Sequence, residues 1–300
     1  MQYFLLLILL SVGIKALDLD SHSNVVLFWG QSSAGKHYRQ PRLRTYCKDD
    51  TNDAIVLMHL ADFTDPQKYG TLRVNKFCHD IYCNKDNSYG NMETLEEDIK
   101  FCQSQGKPVF LSLIQPEVPK AMTPDEMKSV AVKLCDSFLV KPCPLGDFAF
   151  DGFTVNFNLT SIAVKERDIF IEKLQENMSK HPTKETDFDF VLPYFSYNES
   201  CSIGSDGFNL EEWVNKLADK ESKLSKNKDI KVFATFDAMP ATLKDTVNFN
   251  TISDKLSSSY NKKSFAGVAI WDASRSDINL DENEKTFARR LKSTLRGLEA

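Results

Sequence analysis

Residues 151–158 read DGFTVNFN. Side chains two apart on an extended strand share a face. Thr154, Asn156 and Asn158 therefore line one side, with Asp151 at the start, while Phe153, Val155 and Phe157 point to the other. Hydroxyl and carboxamide groups orient a ligand by hydrogen bonds. Neither donates a proton at a useful pH, and neither supplies the negative charge that steadies a developing cation. Carboxylates that could do such work stand elsewhere: Glu117, Asp237 and Asp272 each follow an apolar run. Acidic residues in that position are mostly solvated, so a relocated catalytic pair is the minor expectation. The five His residues (22, 37, 59, 79 and 181) lack paired metal-ligand spacing and the seven Cys residues contain no CxxC, so neither a metal nor another cofactor is expected.

The elements that would position these groups alternate in type. Short runs rich in Val, Ile and Phe predict strands at 25–31, 54–60, 108–114, 148–157, 188–197, 230–236 and 265–271. Amphipathic stretches between them predict helices at 94–104, 124–138, 162–178, 209–224 and 284–295, with Pro124 opening one and Gly106 following another. Strands alternating with helices close naturally into an α/β fold of the TIM-type (β/α)8 barrel, which puts Glu117, Asp237 and Asp272 near the C-terminal mouth where barrel enzymes work. No eighth strand is evident.

The first residues, MQYFLLLILLSVGIKA, form an apolar block ending on a small residue and predict a signal peptide over 1–16. Residues 17–300 then form one domain, secreted to the extracellular space or cell wall. Seven Cys residues suit that compartment, where the sequons at Asn158, Asn177 and Asn198 become glycan acceptors. Thirty-seven basic against 42 acidic residues, without a basic run, give no footprint for nucleic acid or an anionic membrane.

The segment LFWGQS at 27–32, TYCKDD, DAIVLMHLADF, DIKFCQSQGKPVFLSL, DGFTVNFN and FAGVAIWDAS together resemble fungal and plant class III chitinases of glycoside hydrolase family 18. The resemblance covers nearly all of residues 17–300. It implies disulfides Cys47–Cys102 and Cys78–Cys83, and a strand–helix unit missing after the fourth strand, because only about thirty residues separate Asn158 from Phe188. Cys201 then lacks its family partner. It is left unpaired, is recruited by Cys135 or Cys143 or another chain, or stays a buried free thiol while Cys135 bridges Cys143.

The family carries D-G-x-D-x-D-x-E on its fourth strand, so Asp151, Thr154, Asn156 and Asn158 occupy degenerate catalytic positions and Asn158 stands where the acid should be. The turn Ser112, Leu113, Ile114, Gln115 replaces S-x-G-G, putting bulk where two glycines leave space. A glycan on Asn158 would fill the old acid position. Binding needs no acid: sugar rings stack their C–H faces on aromatic groups while their hydroxyls take fixed polar partners. By the resemblance Trp271 is the aromatic floor, although alone it reads first as a core residue. Tyr197 and Gln31 are polar ligand contacts, and Phe28 replaces a Tyr. The expectation is a noncatalytic protein that binds chitin or an N-acetylglucosamine glycan. The alternatives are an interaction or inhibitor protein on the barrel scaffold, with another protein as partner, and a weak chitinase.

Overall fold

The computed structural model describes residues 17–35, 37–60, 62–73, 90–114, 122–156, 164–180, 190–193, 208–218, 227, 229–239 and 249–299. In chain order the strands are β1 (Asn24–Trp29), β2 (Ala54–Leu60), β3 (Val109–Ile114), β4 (Gly152–Asn156), β5 (Phe190–Val191), β6 (Lys231–Asp237) and β7 (Phe265–Trp271). The helices are α1 (Met92–Ser104), α2 (Pro124–Phe138), α3 (Val164–Met178), α4 (Leu210–Ala218), α5 (Phe249–Tyr260), α6 (Ala273–Ile278) and α7 (Phe287–Glu299).

All seven strands are parallel, in the order β4-β3-β2-β1-β7-β6-β5. β1 is the centre: Phe28 pairs with Val56 on one side and Val26 with Ala269 on the other. Every residue of β1 is buried, as expected of a parallel strand covered on both faces. One apolar cluster fills the space between sheet and helices. A second lies on the concave side, where Val26, Phe28, Val56, Met58, Phe233 and Ala269 meet Phe110, Ile114, Phe190 and Trp271.

The expected parallel α/β barrel is therefore present, one unit short of eight strands among the described residues. β4 and β5 share no ladder there. Side chains span the gap instead: Phe233 contacts Phe190 at 5.2 Å and Phe190 contacts Phe110 at 5.6 Å between ring centroids. Phe110 can lie over β4 because residue 152 is glycine; a Cβ there would sit 3.1 Å from the Phe110 ring.

Two strand expectations are corrected. β4 starts at Gly152 rather than 148, because Phe148 and Phe150 pack against each other with ring centroids 5.1 Å apart, and the Phe150 N–H donates to the Phe138 carbonyl at the end of α2. β5 spans two residues within the expected 188–197, most of which lies outside the described residues. The unexpected α5 reads FNTISDKLSSSY, whose four serines dilute the signal, yet Ile252, Leu256, Ser259 and Tyr260 are buried at helical spacing.

Cys47 and Cys102 are bridged, tying the β1–β2 connection to α1. Beside the bridge, Arg42 grips the buried Asp98 of α1 through Nε and Nη2, the latter at 2.6 Å. The same connection holds the last helix, since Arg289, Lys292 and Arg296 of α7 reach Asp49, Asp53 and Asp50 at 2.9, 2.7 and 2.8 Å. Cys135 and Cys143 are both buried free thiols, so the Cys135–Cys143 bridge does not form. The Cys135 thiol instead faces the Leu174 carbonyl at 3.7 Å, and burial pushes it up to about 12. Cys78, Cys83 and Cys201 lie outside the described residues.

Candidate functional site

The C-terminal strand ends bring together Phe28, His59, Ile114, Asn156, Asp237 and Trp271 on one rim. Gly30 makes the exit from β1 possible. Its φ is +111°, and a Cβ would lie 2.6 Å from the Met58 carbonyl oxygen, so the chain turns closely over β2 before Gln31. Gln31 Nε2 is buried without a hydrogen-bond partner. Trp271 is partly buried and rests on Phe28, ring centroids 5.4 Å apart at 52°. Phe28, only 9% exposed, supports that floor from below. The peptide between Trp271 and Asp272 is cis.

On β4, Thr154 stands opposite Ser112 and Asn156 opposite Ile114. Thr154 Oγ1 is buried and unpartnered, while Asn156 is exposed at the rim. Asp151 lies at the other end of the strand, where its Oδ2 accepts from Gln103 Nε2 at 2.9 Å and the Val109 N–H at 2.8 Å. Its work is to tie α1 and β3 to the start of β4. Asn158, Tyr197, Asn198 and Glu117 lie outside the described residues.

The two described rim acids are both engaged. Asp272 is fully buried and caps α6: its Oδ1 accepts from Arg275 N at 3.0 Å and Ser274 Oγ at 2.7 Å, and its Oδ2 from Ser33 N at 3.1 Å and Ser33 Oγ at 2.8 Å. Four donors on an acceptor-only group leave little capacity for proton transfer. Asp237 Oδ1 accepts from the Met239 N–H at 2.9 Å, and its Oδ2 pairs with Nη1 of Arg275. Sequence reasoning missed Arg275 and the buried, unpartnered Thr235 hydroxyl one step below Asp237. Their only sequence signal was place: a cation in the turn after the last strand, and a polar group two residues before Asp237.

His59 at the end of β2 is held neutral. Burial, and then the nearby charge of Arg73, pushes its pKa down to about 4 from 6.5. The unfolded chain therefore binds a proton that the folded chain refuses between those values. Stability is full above pH 6.5 and falls as pH drops toward 4, by up to about 3 kcal/mol. Thermal melting of the parent and of His59→Gln over that range should show a steeper acid-side decline in the parent; equal slopes would refute the assignment.

Asn177 is 6% exposed; its Nδ2 donates to the Lys173 carbonyl at 2.7 Å and its Oδ1 accepts from Lys180 Nζ at 3.2 Å. A glycan on that nitrogen is incompatible with this packing. Among the described residues no group of three or more His, Cys, Asp or Glu could hold a metal ion, and no helix is long and apolar enough to cross a membrane.

No protein-family model matches the chain. Among individual proteins it is similar to chitinase 3 of Candida albicans, 29% identical over 312 residues covering 94% of this chain and 53% of that protein. The chain thus spans about half the length of the relatives it matches. Its fold is similar to that of the ICChI chitinase from Ipomoea carnea, with TM-score 0.63 at 21% identity over 90% of this chain and 99% of that one. It is similar too to the xylanase and α-amylase inhibitor protein XAIP-II from Scadoxus multiflorus, with TM-score 0.62 at 19% identity over 91% and 98%.

Proposed function

From a chain homologous to fungal chitinases and folded as a glycoside hydrolase family 18 barrel, we propose a secreted protein that binds chitin or related N-acetylglucosamine glycans without cleaving them. Residues 1–16 act as its leader and 17–300 as its barrel domain. The observation that carries the reading is the inner face of β4, which bears Thr154 and Asn156 and no carboxylate, while the two described rim acids are occupied by a helix cap and an ion pair.

Retaining hydrolysis in this family uses the substrate's own N-acetyl carbonyl as nucleophile. An acid protonates the leaving oxygen and a neighbouring carboxylate stabilises the charged ring intermediate. Asn158 replaces that acid and Asn156 a charged neighbour. General acid help alone is worth roughly 10²- to 10⁴-fold. Turnover of a fluorogenic chitobioside is therefore expected at background. Turnover abolished by Asp237→Asn or Glu117→Gln would instead reveal a relocated acid and sink the noncatalytic reading.

Retained polar atoms without protein partners support binding: Gln31 Nε2, Thr154 Oγ1 and Thr235 Oγ1 line the first, fourth and sixth strands or their ends. Each buried, unpaired group costs about 1–3 kcal/mol unless a ligand or water completes it. Tyr197 adds a polar aromatic contact in this reading, and Asn198 remains a glycan acceptor, while cleft binding requires Asn158 to be unmodified. The fold shared with XAIP-II favours a second reading, inhibition of another hydrolase through the loops. That reading predicts no retention on chitin together with inhibition of a xylanase or α-amylase.

A further inference from the structure

Gln31 stands between two residues in left-handed backbone conformations. Gly30 has φ +111° and Ser32, though not a glycine, has φ +47°. One atom holds both. The Oε1 of Gln40 accepts from the Gly30 N–H at 3.3 Å and from Ser32 Oγ at 3.2 Å. The Gly30 N–H can only donate, which fixes the orientation of the Gln40 amide: its oxygen faces residues 30 and 32 and its nitrogen faces away. That nitrogen is buried without a hydrogen-bond partner. The clamp lies inside the protein, with Gln40 8% and Ser32 5% exposed. Gln40 in turn is placed by β1, since Trp29 Nε1 donates to the carbonyl of the next residue, Pro41, at 3.1 Å.

Beyond Ser32 the connection is held by other groups. Ser33 donates to Asp272 through N and Oγ, and Ala34 N donates to Ser274 Oγ at 3.0 Å. Before Gly30, β1 is locked in its ladders with β2 and β7. Loss of the Gln40 oxygen would therefore release the three residues around Gln31 and leave both flanks in place. A left-handed non-glycine residue and an unpaired buried amide are both costly, and such costs persist where a site demands a set geometry. The Nε2 of Gln31 is itself buried and unpartnered, a donor with no protein oxygen opposite it.

We propose that Gln40 is a positioning residue for glycan binding: by clamping both neighbours of Gln31, its carboxamide oxygen presents the Gln31 amide as a donor to an oxygen of the sugar on the Trp271 floor. In this role Gln40 acts through Gln31 and needs no contact with the ligand. A donor fixed beforehand loses little freedom when the sugar arrives, whereas an unclamped segment would have to be ordered at that moment. The inference rests on the glycan-binding reading above.

Calorimetric titration with N-acetylchitotetraose, with a thermal melt of each variant, is the test. Gln31→Ala and Gln40→Met, the latter similar in volume but without an acceptor, should each weaken binding by about tenfold. The double variant should bind no more weakly than Gln31→Ala, because a clamp with nothing to present has no effect. Independent contributions would instead multiply to about a hundredfold. Where Gln40→Met does not fold, Ser32→Ala removes one of the two clamp bonds and should give a smaller loss that also vanishes in the Gln31→Ala background. Unchanged affinity in Gln31→Ala, or in a folded Gln40→Met protein whose melting temperature alone has dropped, overturns the proposal and leaves glycan binding standing. So do losses that multiply in the double variant, or, where Ser32→Ala is the probe, the absence of any loss. A parent protein that does not bind the oligomer overturns both.

Discussion

Replacing Trp271 by alanine is expected to abolish retention on chitin beads and to weaken binding of N-acetylchitotetraose by roughly 30- to 200-fold, the effect of about 2–3 kcal/mol lost at a single aromatic anchor. The magnitude follows from geometry. A sugar ring offers an apolar C–H face, and an indole is the largest flat apolar surface a side chain can oppose to it. Trp271 is held for that contact: Phe28 packs against one side, and the carboxylate of the following residue, Asp272, accepts hydrogen bonds from Ser33, Ser274 and Arg275. The floor is therefore fixed before the ligand arrives, and little ordering entropy is lost on binding. Trp271→Phe keeps a flat apolar face and should keep most of the affinity. Titration of both variants by calorimetry, with a thermal melt of each, separates lost contact from lost fold. Equal retention of the parent and a folded Trp271→Ala protein would count against cleft binding, and absence of retention by the parent would favour the inhibitor reading.

The rim was legible in unequal parts. β1, β2, β6 and β7 were readable because a parallel strand covered on both faces leaves a near-continuous apolar run, and those runs have few alternatives. The approach to β4 was not. Phe148 and Phe150, two apart, look like the start of the strand that carries Phe153, but they lie in an irregular segment where Phe150 packs on Phe138 of α2 and Phe148 on Phe150, a distinction that depends on where Phe138 ends up. Asp272 read as a mouth acid, although an Asp opening the run Ala273, Ser274, Arg275 also fits a helix cap. Its burial settles which role it has. The Asp237–Arg275 pair joins residues 38 positions apart and exists because β6 and β7 are neighbours in the sheet. No local spacing announces it. Cys47 and Cys102, 55 residues apart, could likewise be paired beforehand only through family resemblance. Local chemistry was visible in the chain, whereas the use of each charge depended on which strands the sheet made adjacent.

Among the described glycines the tightest approach lies toward the opposite end of β7. Gly267→Ala is expected to cost about 3–5 kcal/mol, a large part of the 5–15 kcal/mol by which domains are ordinarily stable. Gly267 adopts φ +136°, and an added Cβ would stand 2.1 Å from the carbonyl oxygen of Asn24, its register partner on β1. The clash could be relieved only by moving β1, which is anchored. Asn24 Nδ2 donates to the carbonyls of Asp18, Ser21 and Ala266 at 2.7, 2.8 and 2.9 Å. The next N–H, on Val25, donates to Asp53 Oδ2 at 2.7 Å, and that carboxylate is paired with Lys292, which also donates to the Ser23 carbonyl at 2.9 Å. Shifting Asn24 would break this network and open the β1–β7 ladder at the centre of the sheet. Two other glycines calibrate the claim. Gly35 has φ +98° but open space around its Cβ position, so Gly35→Ala should cost only the backbone strain, about 1–2 kcal/mol. Gly297 lies in α7 with nothing within 4 Å, and Gly297→Ala should stabilise by up to about 1 kcal/mol. Thermal melts of the three variants should rank Gly297→Ala above the parent, Gly35→Ala below it, and Gly267→Ala lowest, down by on the order of 10 °C or unfolded. A Gly267→Ala protein that melts with the parent would mean that β1 can move, and that the Asn24 and Asp53 bonds do not anchor it.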